Sequence, residues 1–279
     1  MMELTSWLVG IPTWASAVLV IGFYVSLGMG ALTFSRFRLN HSTLANFNDI
    51  TGFVFSAFAA IYGVMLAFVV IDEMQIFDKV EVTAVNESSA ASSLYHALTL
   101  YPDKKQTSKA IAALGAFTNT IVQDEFPTIH EGKWKPGFQA NSPGEKALGQ
   151  LRLSIGEIVP QNLHEQAVFS EIFRDLNELS KYRSQRLLQT DSNLPFVIWV
   201  ETIFGAIFLV IFSCMFGHGS WRHQLVVATL FSALIGSMLE VVVVLNLPFQ
   251  GDYCVHPEGY KLLIEQMKLA GMVAPSLTP

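Results

Sequence analysis

The protein has 279 residues, of which 51% are hydrophobic and only 14% are charged, and its mean hydropathy is +0.41. This composition excludes an ordinary soluble domain and indicates an integral membrane protein. The formal net charge of −6 is spread along the chain without a block of like charges, which argues against nucleic acid as a partner.

Four segments are long and apolar enough to cross a bilayer as helices, which takes about 20 residues each. They cover residues 13–34, 52–71, 194–216 and 224–247. Residues 1–35 contain no Lys or Arg, so the first segment lacks the basic start of a signal peptide. We therefore expect it to be retained as a helix.

The long segment between the second and third spans has the pattern of a helical domain outside the membrane. The helical pattern of the second span continues to Leu100 without a stop. A returning helix is expected over residues 103–126, where Pro127 should end it, and residues 128–141 are predicted to form a loop.

Two further helices complete this predicted domain. Ser142-Pro143-Gly144-Glu145 combines an N-cap, a proline at the first helical position and the acid of a capping box, so a helix should start there. Pro160 should end it. An amphipathic, charged helix is then expected over residues 161–190.

The sequence therefore predicts an all-α fold, in which four transmembrane helices carry a helical extramembrane domain inserted between spans two and three. The predicted divisions are 1–72 for the first two transmembrane helices, 73–193 for the domain, 194–247 for the last two helices and 248–279 for a C-terminal tail.

The membrane orientation is predicted from basic residues in the short loops. With four spans, both termini and the domain lie on one side, and Arg36, Arg38 and Arg222 lie on the other. We therefore expect a multi-pass inner-membrane protein whose domain and termini are outside the cytoplasm. Basic residues on the domain side, near the start of the third span, oppose this orientation.

Carboxylates inside the apolar spans are the first candidates for a functional site. Counting 1.5 Å per residue from the domain-side ends of their spans, Glu201 and Glu240 should lie about 9 and 12 Å deep. Asp72 and Glu73 stand at the end of the second span. An intramembrane carboxylate costs about 2.5 to 3.5 kcal/mol even on the mildest scale, so these groups should face protein or water.

Two interpretations of these acids remain open. They could form an acidic vestibule, in which every subunit of an oligomer adds carboxylates to a ring, as in cation-selective pores. Alternatively, Glu201 could pair at the interface with Lys181, Arg183 or Arg186, and Glu240 could be protonated or bonded to a neighbouring helix.

Small and aromatic residues in the first span indicate close packing. Gly22, Ser26, Gly28 and Gly30 would allow another helix to approach closely, and Phe23 with its neighbouring tyrosine could narrow a lumen. The alternative is that these residues serve helix packing within one subunit.

No enzyme motif is present, and neither a phosphate loop nor a dinucleotide fingerprint occurs. The seven histidines are dispersed, and Cys214 and Cys254 match neither metal-ligand nor redox spacing, so we expect two free thiols. We expect a protein that is not an enzyme, with no cofactor and no metal site.

Five motifs occur in an order that resembles the bestrophin-like domain family, a group of mainly bacterial membrane proteins. They are Gly63-Val-Met-Leu-Ala-Phe-Val-Val, Asn86-Glu87-Ser-Ser-Ala-Ala with Leu94-Tyr95, Gln123-Asp-Glu125-Phe-Pro127, Arg183-Ser-Gln-Arg186-Leu and Asn246-Leu-Pro248-Phe249-Gln-Gly251. The resemblance implies structural roles for their central residues, namely Glu87, Glu125, Arg183, Arg186, Pro248, Phe249 and Gly251.

Two fragments are similar to the bestrophin anion channels themselves. Gly22-Phe23-Tyr24-Val25 is similar to their aromatic neck, and Pro248-Phe249-Gln-Gly251-Asp252 to the turn that opens their calcium clasp. The acidic run of the clasp is replaced by Tyr253-Cys254-Val255-His256, so calcium control is not implied. The resemblance implies a pentamer with its soluble helices in the cytosol, opposite to the orientation predicted from charge.

Together these patterns predict a homo-oligomeric ion channel or channel-like membrane protein with an acidic vestibule, whose partners are membrane lipid and inorganic ions. The acids favour cations, whereas the resemblance favours anions. The alternative is a non-conducting membrane scaffold or sensor whose helical domain binds a partner.

Overall fold

The structure is a computed structural model that describes residues 8, 10–38, 44–134, 141–190, 194–217 and 220–271. This part of the chain is helical and contains no strand. Its helices are α1 (Thr13–Arg38), α2 (Asn48–Leu100), α3 (Lys104–Thr120), α4 (Phe126–His130), α5 (Pro143–Gly156), α6 (Leu163–Gln189), α7 (Phe196–Ser213), α8 (Trp221–Leu245) and α9 (Glu258–Leu269). The expectation of an all-α fold with four long apolar helices is confirmed, because α1, α2, α7 and α8 are each long and apolar enough to span a membrane.

The chain divides into two compact units. The first comprises Met1–Phe77 and Asn193–Tyr253, and it contains α1, α7, α8 and the first part of α2. The second comprises Asp78–Ser192 and Cys254–Pro279, and it contains the rest of α2 together with α3 to α6 and α9. Helix α2 is continuous over its 53 residues and therefore contributes to both units.

Close contact between α1 and α8 organises the first unit. A Cβ at Gly28 would collide with the Ser232 hydroxyl, and a Cβ at Gly236 would lie 2.9 Å from the Cα of Ile21. At Gly236 glycine is required because the two backbones approach too closely for a side chain, whereas at Gly28 a larger residue would have to displace the Ser232 side chain. Helix α7 packs against both helices and adds Trp199 to the shared apolar core.

The helices of the second unit begin at polar caps. The Asp103 side chain accepts a hydrogen bond from the Lys105 amide at the start of α3, and Asn162 caps α6 in the same way. At α5 the Ser142 hydroxyl accepts from the Glu145 amide, which confirms the predicted helix start. Each cap satisfies a backbone donor that has no partner within its helix.

Pro127 does not end the returning helix, contrary to the sequence expectation. A π-helical turn, Ile121–Glu125, follows α3, and α4 then continues to His130 with the proline in its first turn. Proline is tolerated there because the amide it lacks would have no intrahelical partner. The predicted loop therefore starts later than residue 128, and its residues 135–140 lie outside the described part.

The segment predicted as a C-terminal tail contains helix α9. Tyr260, Leu263 and Met267 form its buried face within the second unit. Residues 272–279 lie outside the described part.

Candidate functional site

Glu201 lies on an exposed face of α7. Val197, Val200, Phe204 and Phe208 share this face at helical spacing, and each of them is at least 40% exposed in the single chain. Among the residues that the structure describes, none forms a hydrogen bond or ion pair with Glu201. The carboxylate therefore stands within an otherwise apolar stripe.

Glu240 lies inside the subunit instead. It is only 7% exposed, and the Ser16 hydroxyl of α1 donates a hydrogen bond to its Oε1. The same hydroxyl lies 3.0 Å from the Thr13 carbonyl oxygen, and Glu240 Oε2 has no partner among the described residues. Glu240 and Glu201 thus occupy different environments, one covered by α1 and the other open.

Asp72 and Glu73 also face different ways on α2. The Asp72 side chain is exposed, whereas Glu73 is 1% exposed and its Oε1 has no described hydrogen-bond partner. Adjacent helical residues project about 100° apart, which separates the two carboxylates. Only Asp72 is available to solvent in the single chain.

Phe23 is exposed on α1, and its ring meets the buried Tyr24 ring edge-on at 5.3 Å. Of the small residues predicted to form one stripe, only Gly28 is covered by the same chain. Gly22 and Gly30 are exposed, and a Cβ at either would meet no atom within 4 Å. The small residues therefore lie on two different faces of α1, one covered within the chain and one open.

The family-like turn after α8 holds the ends of two other helices. Asn246 Oδ1 accepts from the Leu194 amide at 2.9 Å, and Asp252 accepts from the Thr13 amide and hydroxyl at 2.9 and 2.8 Å. The buried Pro248 and Phe249 precede Gly251, whose φ of 81° favours glycine. Asp252 therefore caps the first residue of α1.

The other family-like residues meet in a buried charge cluster of the second unit. Arg186 on α6 donates hydrogen bonds to both oxygens of Glu87 and to Glu125, and Arg183 lies 2.7 Å from the other oxygen of Glu125. All four side chains are at most 2% exposed. Their charges compensate, which is the condition for burying them.

Three further contacts complete the cluster. The Tyr260 hydroxyl of α9 donates to Glu87 at 2.9 Å, and Arg183 also binds Glu145 at the start of α5. The Arg186 guanidinium lies 4.6 Å from the centre of the Phe126 ring. Helices α2, α5, α6 and α9 and the π-helical turn are therefore joined through one set of ionic contacts.

The cluster also sets the protonation of its members. Burial alone would raise the pKa of Glu125, but Arg186 and Arg183 outweigh it and hold that pKa below its ordinary value. A carboxyl with a lowered folded pKa stabilises the fold above its ordinary pKa, and this contribution is lost as the pH falls through the lowered value. Acid should therefore weaken the cluster.

Cys214 and Cys254 do not form a disulfide with each other. Cys254 lies 3.6 Å from His130 Nδ1 and 3.8 Å from His256 Nε2. Within the described residues no group of three or more His, Cys, Asp or Glu side chains has the arrangement of a metal site.

The sequence analysis did not identify three contacts. Ser16 donates to Glu240, Asp252 caps α1, and Tyr260 donates to Glu87. No local signal identifies the role of Asp252, because the helix that it caps begins 239 residues earlier. Ser16 gave no signal, because a serine in an apolar helix is common. Tyr260 belongs to an amphipathic pattern in the segment that was predicted as a tail.

A family model described as the bestrophin-like domain matches residues 22–260. The chain belongs to the bestrophin-like domain family. Like its apolar helices, this membership identifies a membrane protein. A comparison with curated protein sequences found no match.

Solved structures share the fold of this bestrophin-like chain. Two single-substitution variants of a bacterial bestrophin homologue from Klebsiella pneumoniae have TM-scores of 0.67 and 0.66 at 14% and 13% identity. They cover 91% and 92% of this chain and 99% of their own. A crystal structure described as a membrane protein has a TM-score of 0.66 at 14% identity, covering 91% of this chain and 97% of its own. At these identities the likeness shows the fold.

Proposed function

We propose that this protein is a homo-oligomeric ion channel in which each subunit contributes Glu201 to an acidic vestibule. The observation that carries the proposal is the exposed Glu201 carboxylate within the apolar stripe of α7. A carboxylate facing lipid costs at least about 2.5 to 3.5 kcal/mol, so this face should meet water or another subunit.

The uncovered spans support an oligomer. In each apolar helix more than half of the residues of the membrane window are not buried within the single chain. The open small residues of α1, Gly22, Ser26 and Gly30, follow one another at four-residue spacing, which suits close approach of a helix from a neighbouring subunit. Kinship with the bestrophins favours five subunits.

The remaining acids have different proposed roles. Asp72 adds charge at the mouth of the vestibule, and Phe23 narrows the lumen. Glu240, covered by α1 and bonded to Ser16, supports the packing of α1 on α8 and does not contact the permeating ion. Glu73 is likewise buried and takes no part in the ring.

The extramembrane domain is part of the proposal. We place residues 1–72 and 194–247 in the inner membrane and 73–193 outside it, with the segment 248–279 returning to the domain through α9. The charge distribution of the short loops supports an orientation with this domain outside the cytoplasm.

Planar bilayers with the purified oligomer would test the proposal. We expect single-channel currents, and Glu201→Gln should shift the reversal potential in a potassium chloride gradient towards the value for chloride. The shift should be larger near 0.01 M salt than near 1 M, because the screening length falls from about 30 to about 3 Å. Glu265→Gln, which removes an exposed carboxylate of α9, is the matched control and should leave the potential unchanged.

Two results would contradict the proposal. A folded oligomer without current over a range of voltage and pH would favour the non-conducting scaffold. Currents with an unaltered reversal potential in Glu201→Gln would remove the acidic vestibule.

A further inference from the structure

An apolar cavity of about 270 Å³ lies in the first unit, among α2, α7 and α8. Its lining residues are Phe55, Ser213, Phe216, His223, Gln224, Val227, Ala228 and Phe231. The Phe55 ring lies 5.5 Å from Phe216 and 5.4 Å from Phe231, so three neighbouring phenylalanine rings contribute to the wall. Val227 is 65% exposed, which shows that the cavity is open to the outside of the subunit.

One end of this cavity is polar and positively charged. The Gln224 side chain donates to the Phe216 carbonyl at 2.8 Å and accepts from Arg36 Nε and Nη2 at 3.0 and 2.7 Å. The Arg36 guanidinium also lies 5.3 Å from the centre of the Trp221 ring. Gln224 therefore holds the Arg36 guanidinium directly behind the lining of the cavity.

The neighbouring segments carry a net positive charge. Residues 35–51 and 214–223, which join α1 to α2 and α7 to α8, contain three arginines and one aspartate. Two of these arginines, Arg36 and Arg38, lie in the last turn of α1. The cavity thus has an apolar wall and a cationic end, which complement an anionic amphiphile.

We propose that this cavity binds one acyl chain of an anionic phospholipid, whose phosphate lies at Arg36 and His223. The solvent around membrane helices is hydrocarbon, and a cavity left empty there loses the dispersion contacts of its wall. Water is a poor occupant because the lining is apolar. The basic end selects a negative headgroup over a zwitterionic one.

The test compares two lipids with the full-length protein purified in detergent. Dioleoyl-phosphatidylglycerol should raise the melting temperature more than dioleoyl-phosphatidylcholine does. Val227→Phe fills the open side of the cavity and should weaken the apparent affinity for phosphatidylglycerol about tenfold, which corresponds to about 1.4 kcal/mol. Val226→Phe is the matched control, because this neighbouring valine is 56% exposed but does not line the cavity.

A second measurement uses the unsubstituted cavity. Phosphatidylglycerol with brominated acyl chains should quench the fluorescence of Trp221, seen as the difference between the wild type and Trp221→Phe. This readout does not depend on the folding of Val227→Phe, and neither measurement requires ion conduction.

Three results would overturn the proposal. Equal stabilisation by both lipids would exclude selection of a negative headgroup. Unchanged affinity in Val227→Phe together with absence of Trp221 quenching would exclude the cavity as the lipid site. A loss of oligomer in Val227→Phe, with lipid affinity unchanged, would identify a neighbouring subunit as the occupant.

Discussion

At the scale of single residues, Arg186 is the centre of the buried charge cluster in the second unit. It is fully buried, and among the described residues its charge is compensated by Glu87 and Glu125. Burial of an ion pair is not in itself strongly stabilising, but removing one partner leaves an uncompensated charge in a medium that solvates it poorly.

We therefore expect Arg186→Met to lower the free energy of unfolding by about 3–5 kcal/mol, because the buried Glu87 loses its arginine and Glu125 keeps only its contact with Arg183. Thermal or denaturant unfolding of the purified protein in detergent measures this loss. The matched control is Lys109→Met, which breaks an ion pair with Glu157 whose side chains are both at least 60% exposed. This control should have little effect, and an equal loss in both variants would contradict the role of burial.

The residues of the cluster were predictable from the sequence, but the contacts between them were not. Glu87, Glu125 and the pair Arg183 and Arg186 were identified in three separate motifs through the family resemblance. The Arg186–Glu87 and Arg183–Glu125 pairs join residues 99 and 58 positions apart, and no local pattern encodes such distances. Nothing in the sequence indicated that Tyr260 would donate a hydrogen bond to Glu87.

At the scale of helices, α1 uses its small residues on two faces. Gly28 is pressed against Ser232 of α8, whereas Gly30 has open space in the single chain. The sequence could predict close packing from the composition of the span, but it could not assign each glycine to a face. That assignment depends on which helix is the neighbour.

These two glycines allow a paired prediction. Gly28→Leu should lower the melting temperature of the subunit, because the added side chain collides with α8. Gly30→Leu should leave the subunit stable and weaken its association, because it obstructs only the proposed subunit interface. Light scattering and thermal unfolding in detergent measure the two effects. If Gly30→Leu assembles normally, this face is not the interface.

Helix ends were predictable where a side chain caps the backbone. Ser142 is such a case, since the N-cap, the proline and the acid all act within four residues. Pro127 misled the prediction because proline is compatible both with a helix stop and with a first helical turn. The preceding π-helical turn, which has no simple sequence signature, decided between them.

At the scale of the whole molecule, the chain divides into two compact units, and α9 belongs to the second of them although its segment was predicted as a tail. The orientation in the membrane is a separate matter, because two arguments predict opposite sides. Native Cys254, in the second unit, provides a test without an engineered label.

We expect a membrane-impermeant maleimide to label Cys254 from outside in intact spheroplasts, because the basic short loops favour the cytoplasm. Cys214 is 1% exposed and should not react. Cys254→Ser is the control that assigns the signal. Labelling only after lysis would place the domain in the cytosol, as the bestrophin resemblance implies.

The cap on α1 has a consequence for biosynthesis. Thr13 receives its partner Asp252 from 239 residues further along the chain, and α8, against which α1 packs, is also made late. At about 5 to 20 residues per second, the ribosome needs on the order of 10 to 50 s to supply them. Helix α1 must therefore wait in the bilayer, or be shielded by the insertion machinery, until α8 and Asp252 have been translated.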